Sequence, residues 1–137
     1  MVARAQEEAS VTVAVLDASA VLAVYFDEPG ADQVRAALPG ALLSAVNYTE
    51  VIGKCLEHGD VLAVTLRKLA AMGVAIVPYD ARLAQRAGEL QPLGRRAGLS
   101  LGDRACLALA EREGVTVLTA DRSWKSLALD IDIRLIR

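Results

Sequence analysis

The sequence has 137 residues, of which 54% are hydrophobic, so it is long enough for one domain with one core. Aromatic residues make up only 4%, and a core of aliphatic side chains favours a helix-covered parallel sheet of the α/β class. The formal net charge of -2 argues against a protein that coats nucleic acid through many basic side chains. It leaves room for a local basic groove, for which the candidates are Arg82, Arg86, Arg95, Arg96 and Arg104. A solvated helix face and loop explains these five arginines equally well.

The cysteines and the apolar stretch near the amino terminus bear on where the protein works. Cys55 and Cys106 lie far apart with no His or Cys at metal-ligand spacing, so we expect buried free thiols in a reducing cytoplasm. The apolar stretch 11–26 looks like a signal sequence, but Asp17 lies in its middle and it is too short to span a bilayer. We therefore expect a cytoplasmic protein.

The domain organisation is expected to be simple. Residues 1–10 are predicted to be a flexible terminus, and residues 11–137 a single domain. The sequence contains no internal repeat and no low-complexity tract.

Short apolar runs, most of them rich in β-branched residues, predict five strands. They cover residues 11–16, 41–44, 74–77, 115–118 and 131–136. Helical spacing of apolar residues predicts the segments between them. These helices cover 18–25, 31–38, 46–57, 60–72 with Asp60 as the N-cap, 81–90 with Asp80 as the N-cap, and a last one from Ser100 to Gly114. Pro92, Gly94 and Gly98 predict a loop.

Strands that alternate with helices predict a parallel sheet with right-handed crossovers, covered on both faces. Ligands bind to such sheets outside the carboxyl ends of the strands, where the strand order reverses. The residues that directly follow strands are therefore the first candidates for a functional site.

Two aspartates follow two similar strands. Asp17 follows VTVAVL, and Asp121 follows VTVL and two further residues, so both are expected at the carboxyl edge of the sheet. An Asp followed by a short polar residue is also a common helix cap after a strand. The equivalent position of the two acids favours a functional role over a cap, though only slightly.

Two further acids begin helices that follow a strand or precede one. Glu50 lies in the first turns of its helix, with Asn47 on the same face. Taken alone, Glu50 is better explained as a surface residue paired with Lys54. Asp103 forms a predicted capping box with Ser100, which is a sufficient structural reason for both residues.

If these four carboxylates converge, they repel one another unless a cation neutralises them. Magnesium prefers oxygen ligands, keeps several waters and works with substrate phosphates, which suits phosphodiester hydrolysis. Such chemistry needs no histidine, and the only one, His58, is expected to interact with the dipole at a helix end.

The order of four motifs resembles that of PIN-domain ribonucleases, and more specifically the VapC toxins of type II toxin-antitoxin systems. The motifs are VLDASA, NYTE on a helix after a strand, LSLGDRACLALA, and VTVLTADRSW, and the resemblance covers nearly the whole chain. It implies a PIN-like fold with five parallel strands, dependence on Mg²⁺ or Mn²⁺, RNA cleavage, and a homodimer neutralised by a VapB-like antitoxin.

The resemblance also implies roles for single residues. Asp17, Glu50, Asp103 and Asp121 match the acidic residues that hold the metal and carry out catalysis. Ser19 and Thr119 match accessory hydroxyl positions, and Asn47 is a further accessory candidate because of its place beside Glu50. Arg96 and Arg104 are candidates for contact with the RNA backbone, although a salt bridge to an acid is an equal alternative for either.

Three alternatives stay open at this stage. The same acids would serve a PIN-like nuclease that processes RNA or cleaves DNA outside any toxin system. A receiver-like module that binds Mg²⁺ is disfavoured, because the acids come from four separate segments and no lysine follows a late strand in the place where such a module would need one. In a non-catalytic binding module the acids would only cap helices, and Asp17→Asn would not change any dependence on divalent ions.

Overall fold

The computed structural model describes residues 13–137, apart from the side chains of residues 94 and 96. The predicted flexible terminus, residues 1–10, lies outside the described residues, as do the first two residues of the first predicted strand. The five predicted strands are confirmed; four are shorter than expected, and the fourth strand has the expected length but begins one residue later. They are β1 (Ala14–Leu16), β2 (Leu42–Ser44), β3 (Ala75–Val77), β4 (Thr116–Thr119) and β5 (Ile133–Leu135).

All neighbouring strands are parallel, in the order β3-β2-β1-β4-β5. The chain first builds the sheet outward from β1 through β2 to β3, then returns to the other side of β1 with β4 and β5. The strand order therefore reverses between β1 and β4. The expected α/β class with a parallel, PIN-like sheet is confirmed, and the reversal predicts a ligand site at the carboxyl ends of β1 and β4.

Helices connect the strands and cover both faces of the sheet. Within the described residues they are α1 (Ala18–Tyr25), α2 (Ala31–Ala37), α3 (Ala45–Glu57), α4 (Leu62–Met72), α5 (Ala81–Glu89), α6 (Gln91–Ala97) and α7 (Leu101–Glu113). A 3₁₀ helix, Arg122–Ser126, follows β4. No helix within residues 13–137 is long and apolar enough to cross a membrane.

Two local predictions were wrong. The N-cap of α4 is Val61 rather than Asp60, whose carboxylate instead accepts a hydrogen bond of 2.5 Å from the Tyr25 hydroxyl. The predicted loop after Leu90 is the helix α6. Pro92 does not prevent this helix, because it lies in the first turn, where backbone N–H groups have no partner within the helix.

The sheet separates two apolar clusters, as the alternation of side chains along a strand requires. Leu16 of β1 packs on one face with residues of α1 and α3 such as Val21 and Val51. Val15 packs on the other face with residues of α7 such as Leu107, and this cluster also contains the buried Trp124. All three residues of β1 are buried, and β1 is the central strand, so the residue that follows β1 lies near the centre of the sheet edge.

Candidate active site

Asp17 lies directly after β1 and is only 5% exposed. Its Oδ2 accepts hydrogen bonds from the hydroxyls of Ser19 (2.7 Å) and Thr119 (2.9 Å), the latter at the end of β4. Burial raises the pKa of Asp17 to about 6, against the lowering effect of the two hydroxyls, and the negative charge of Asp103 raises it further. The carboxylate is thus costly to keep ionised in this place without a cation.

The backbone after β4 fixes the two hydroxyls. The N–H of Ala120 donates to Ser19 Oγ (2.9 Å), and the N–H of Asp121 donates to Thr119 Oγ1 (3.0 Å). Each hydroxyl therefore accepts from the chain and donates its proton to Asp17. The protons of Ser19 and Thr119 are both used in this way, which fits positioning residues better than nucleophiles.

Asp121 combines the two roles that its sequence position suggested. It is the N-cap of the 3₁₀ helix, where its Oδ1 accepts from the backbone N–H (3.0 Å) and the hydroxyl (2.7 Å) of Ser123. Its negative charge also reaches the neighbouring site, because it raises the pKa of Asp103. The capping role of Asp121 is therefore present, and it holds the Asp121 side chain just after the end of β4.

Asp103 likewise forms the predicted capping box. Its backbone N–H donates to Ser100 Oγ (3.1 Å), and its Oδ2 accepts from the Ser100 N–H (2.9 Å). Partial burial is the main cause that raises its pKa, the bonds from Ser100 lower it, and Asp121 raises it again. The helix cap orients Asp103 towards other carboxylates.

Glu50 is held by Asn47, one helical turn earlier on α3. The fully buried Asn47 donates from Nδ2 to Glu50 Oε1 (2.8 Å) and to the carbonyl oxygen of Gly102 (3.0 Å) on α7. Among the described ion pairs, none joins Glu50 to Lys54, so the surface pairing considered from the sequence is absent there. Gly102 is a residue that the sequence reasoning missed, although it stands directly before Asp103 in the motif.

Hydrogen bonds link the segments that carry the acids at the carboxyl edge of β1 and β4: Thr119 joins Asp17 to the end of β4, and Asn47 joins Glu50 to Gly102, the residue before Asp103. The thiol of Cys106 is buried one turn after Asp103 in α7. Burial raises its pKa well above the usual range, and the charges of Asp17, Asp103 and Glu50 raise it further. Asp121 joins the group through its effect on Asp103.

The donors available to a metal are carboxylate oxygens, the type that Mg²⁺ and Mn²⁺ prefer. Within residues 13–137, no three His, Cys, Asp or Glu side chains are grouped closely enough to hold one ion together. Mg²⁺ commonly binds through one or two carboxylates and keeps its remaining waters. The buried, poorly compensated charge of Asp17 beside Asp103 fits an ion held in that way.

A cleft of about 450 Å³ opens beside this group and shares Ser19 with it. The other lining residues are Leu22, Phe26, Glu28, Lys54, Glu57, His58 and Arg137. His58 is the C-cap of α3 and packs against the ring of Phe26, with 4.6 Å between the centroids. The sequence placed His58 at a helix end correctly, but gave no sign that it shares a cleft with Ser19.

Two of the five arginines that the sequence offered for a basic groove bind other parts of the protein. Arg86 binds Glu111 through Nε (2.5 Å) and Nη2 (2.8 Å), which ties α5 to α7. Arg104 donates from Nη1 to the carbonyl oxygen of Ala87 (3.0 Å). The side chain of Arg96 lies outside the described residues, so its contact with RNA stays a prediction.

We compared the chain with protein families, with curated proteins and with solved structures. The model of the PIN domain family matches residues 14–129. A toxin-antitoxin complex from Klebsiella pneumoniae contains a chain with a TM-score of 0.71 and 17% identity, over 90% of this chain and 98% of that one. The DNA-bound VapBC of Salmonella typhimurium gives 0.71 and 15%, over 93% and 100%. VapC20 of Mycobacterium tuberculosis, described as a toxin that cleaves the sarcin-ricin loop, gives 0.67 and 15%, over 84% and 96%. The comparison with curated protein sequences gave no significant match.

Proposed function

Since this chain belongs to the PIN domain family, we propose that it is a metal-dependent endoribonuclease that acts as the toxin of a VapBC-like, type II toxin-antitoxin module. The observation that carries the proposal is the buried carboxylate of Asp17 at the point where the strand order reverses, held by hydroxyls of Ser19 and Thr119. The other three acids lie on segments linked to the same edge of the sheet, through the end of β4 and through the bonds of Asn47 to Glu50 and Gly102. The fold shared with toxin chains of such modules, over nearly their whole length, supports the biological role.

In this proposal Asp17, Asp103 and Asp121 hold Mg²⁺ or Mn²⁺, directly or through water, and Glu50 assists them. A bound ion of this kind polarises a phosphoryl oxygen and lowers the pKa of an attacking water. In this proposal Glu50, which is exposed, accepts the proton of that water. The hydroxyls of Ser19 and Thr119 keep the buried oxygen of Asp17 in place. Arg96 and Arg104 remain the proposed contacts to the RNA backbone.

The proposed partners follow from the same chemistry. A VapB-like antitoxin would inhibit the enzyme by inserting an arginine or lysine among the carboxylates, because a cation there offsets the same repulsion that a metal ion would. We further propose that the active form is a cytoplasmic homodimer and that each chain is a single domain. A complex with the antitoxin in which its basic side chains stay clear of all four acids would contradict the inhibition model.

The test is cleavage of a mixed RNA pool by the purified chain, with Mg²⁺ or Mn²⁺ and with EDTA. Asp17→Asn and Asp103→Asn are expected to lower the metal-dependent rate by about 100-fold or more, since both remove a charge from the acidic group. Asp130→Asn is the matched control, because Asp130 is an exposed acid near the amino ends of the strands. Mass spectrometry of the sample first excludes a bound antitoxin. Equal loss in all three variants, or no cutting with either metal, would contradict the proposal.

The second candidate is a nuclease of RNA processing or DNA cleavage outside a toxin system. The four acids serve it equally well, so only the substrate separates the two. The same assay on single-stranded and double-stranded DNA addresses this question. Cleavage of DNA at a rate equal to that of RNA would favour the alternative.

A further inference from the structure

Glu50 differs from the other three acids in how it is held. Asp17, Asp103 and Asp121 are fixed by hydroxyl groups or by helix caps, whereas Glu50 is exposed and has three rotatable bonds. A glutamate in such a place samples many rotamers unless something restrains its carboxylate. A group that takes a proton must lie at a defined distance from it. The restraint on Glu50 is therefore of functional interest.

The first restraint is the amide of Asn47. It joins α3 to α7 because its Nδ2 donates both to Glu50 Oε1 (2.8 Å) and to the carbonyl oxygen of Gly102 (3.0 Å). Its Oδ1 is buried and has no partner among the described residues. An unsatisfied buried oxygen is unfavourable, so this orientation is maintained by the two bonds that the NH₂ group makes.

The second restraint is the missing side chain of Gly102. A Cβ atom there would lie 2.4 Å from Glu50 Oε1 and 2.5 Å from Oε2, closer than real Cβ contacts permit. The helical residues Gly53 and Gly88 show no such limit, since a Cβ at either would meet no described atom within 4 Å. The carboxylate of Glu50 thus occupies the space that a side chain at position 102 would need.

We propose that Asn47 and Gly102 are positioning residues, which together form a seat that holds the Glu50 carboxylate over the first turn of α7, next to Asp103. This inference deepens the proposed function and rests on it for its catalytic meaning. The geometric part stands on its own contacts. Gly102→Ala should displace the carboxylate without removing it, and because the far end of a glutamate can swing into solvent, the fold should remain intact.

Asn47 is the only asparagine in the sequence, which makes the seat directly observable. Labelling with ¹⁵N-asparagine gives one side-chain NH₂ signal in a proton-nitrogen NMR spectrum. In Gly102→Ala and in Glu50→Ala, one proton of this NH₂ loses its carboxylate acceptor and should move to lower ppm by a similar amount. Gly53→Ala, on the same helix as Glu50, should leave the signal unchanged. A wild-type signal in Gly102→Ala would overturn the inference.

RNA cleavage in a double-mutant cycle tests the catalytic meaning. Gly102→Ala should lower kcat at saturating metal by about 10-fold, while Gly53→Ala leaves it unchanged. In the Glu50→Ala background, Gly102→Ala should cause no further loss, because the group that it displaces is already absent. Equal losses in both backgrounds would show that Gly102 acts independently of Glu50, and would overturn the inference. If the NMR shifts occur but neither the wild type nor any variant cuts RNA with either metal, the positioning role of Asn47 and Gly102 is supported and the proposed function is contradicted.

Discussion

The ionisation of Asp17 should make the stability of the metal-free protein depend on pH in an unusual direction. Its pKa is about 6 in the folded chain and about 3.8 when the side chain is free in water. Between these values the folded state binds more protons than the unfolded state, so the free energy of unfolding falls as the pH rises. The difference between the two pKa values corresponds to about 3 kcal/mol, of which about 2.5 kcal/mol is lost between pH 4 and 7, and the loss is constant above that.

The perturbation that tests this is Asp17→Asn, which keeps the shape of the side chain and removes its titration. The substitution also changes one oxygen to nitrogen, beside a backbone N–H, but that cost does not vary with pH. The free energy of unfolding is measured by urea denaturation in EDTA. The value for the variant minus that for wild type should increase by about 2.5 kcal/mol between pH 4 and pH 8. Asp130→Asn, on an exposed residue, serves as the control.

The hydroxyl that donates to Asp17 supplies an internal check. Thr119→Val removes the bond of 2.9 Å that stabilises the ionised form, so it should raise the pKa of Asp17 above about 6 and extend the loss of stability to higher pH. Parallel pH profiles for wild type and Asp17→Asn would refute the reasoning. They would mean that the buried carboxylate is as well solvated as an exposed one.

Two further predictions concern the frame around the site. Glu111→Gln should lower the free energy of unfolding by about 0.5 to 1 kcal/mol, because it removes the charge paired with the partly exposed Arg86. Urea denaturation should show a smaller difference between variant and wild type in about 1 M salt than in low salt. Gly30→Ala should lower the thermal midpoint more than Gly40→Ala, since both glycines have positive φ but only at Gly30 would a Cβ lie 2.4 Å from the carbonyl oxygen of Ile136. Equal midpoints in the two alanine variants would contradict this.

The fold could be predicted from the sequence because its signals are local and repeated. Four of the five strands lie in short runs rich in β-branched residues, and the alternation with helices determines a parallel sheet. The error at Asp60 arose because a tertiary contact outweighed a local preference. Asp60 has the chemistry of an N-cap, yet its carboxylate binds Tyr25, which lies 35 residues away and cannot be inferred from local spacing.

The site was predictable to a different degree for each acid. Asp17 and Asp121 could be placed from strand ends alone, since parallel strands bring their carboxyl ends to one edge. For Asp103 and Glu50 the sequence also offered purely structural roles, a helix cap and a surface ion pair. The structure confirms the capping role of Asp103 and shows that this role and proximity to the other acids are compatible, because a cap fixes a side chain at the end of a helix.

The position of Glu50 could not be derived from the sequence, because it depends on two residues that are 55 positions apart. Asn47 and Gly102 meet only because α3 and α7 pack together, and their contact involves a backbone carbonyl group that any residue would supply. Glycine matters at position 102 because it has no side chain, and a search for motifs of polar residues cannot detect this. A search for charged or polar residues therefore finds all four acids but overlooks the space that one of them needs. This explains why Gly102→Ala, a substitution that normally favours a helix, is the most informative single change for this site.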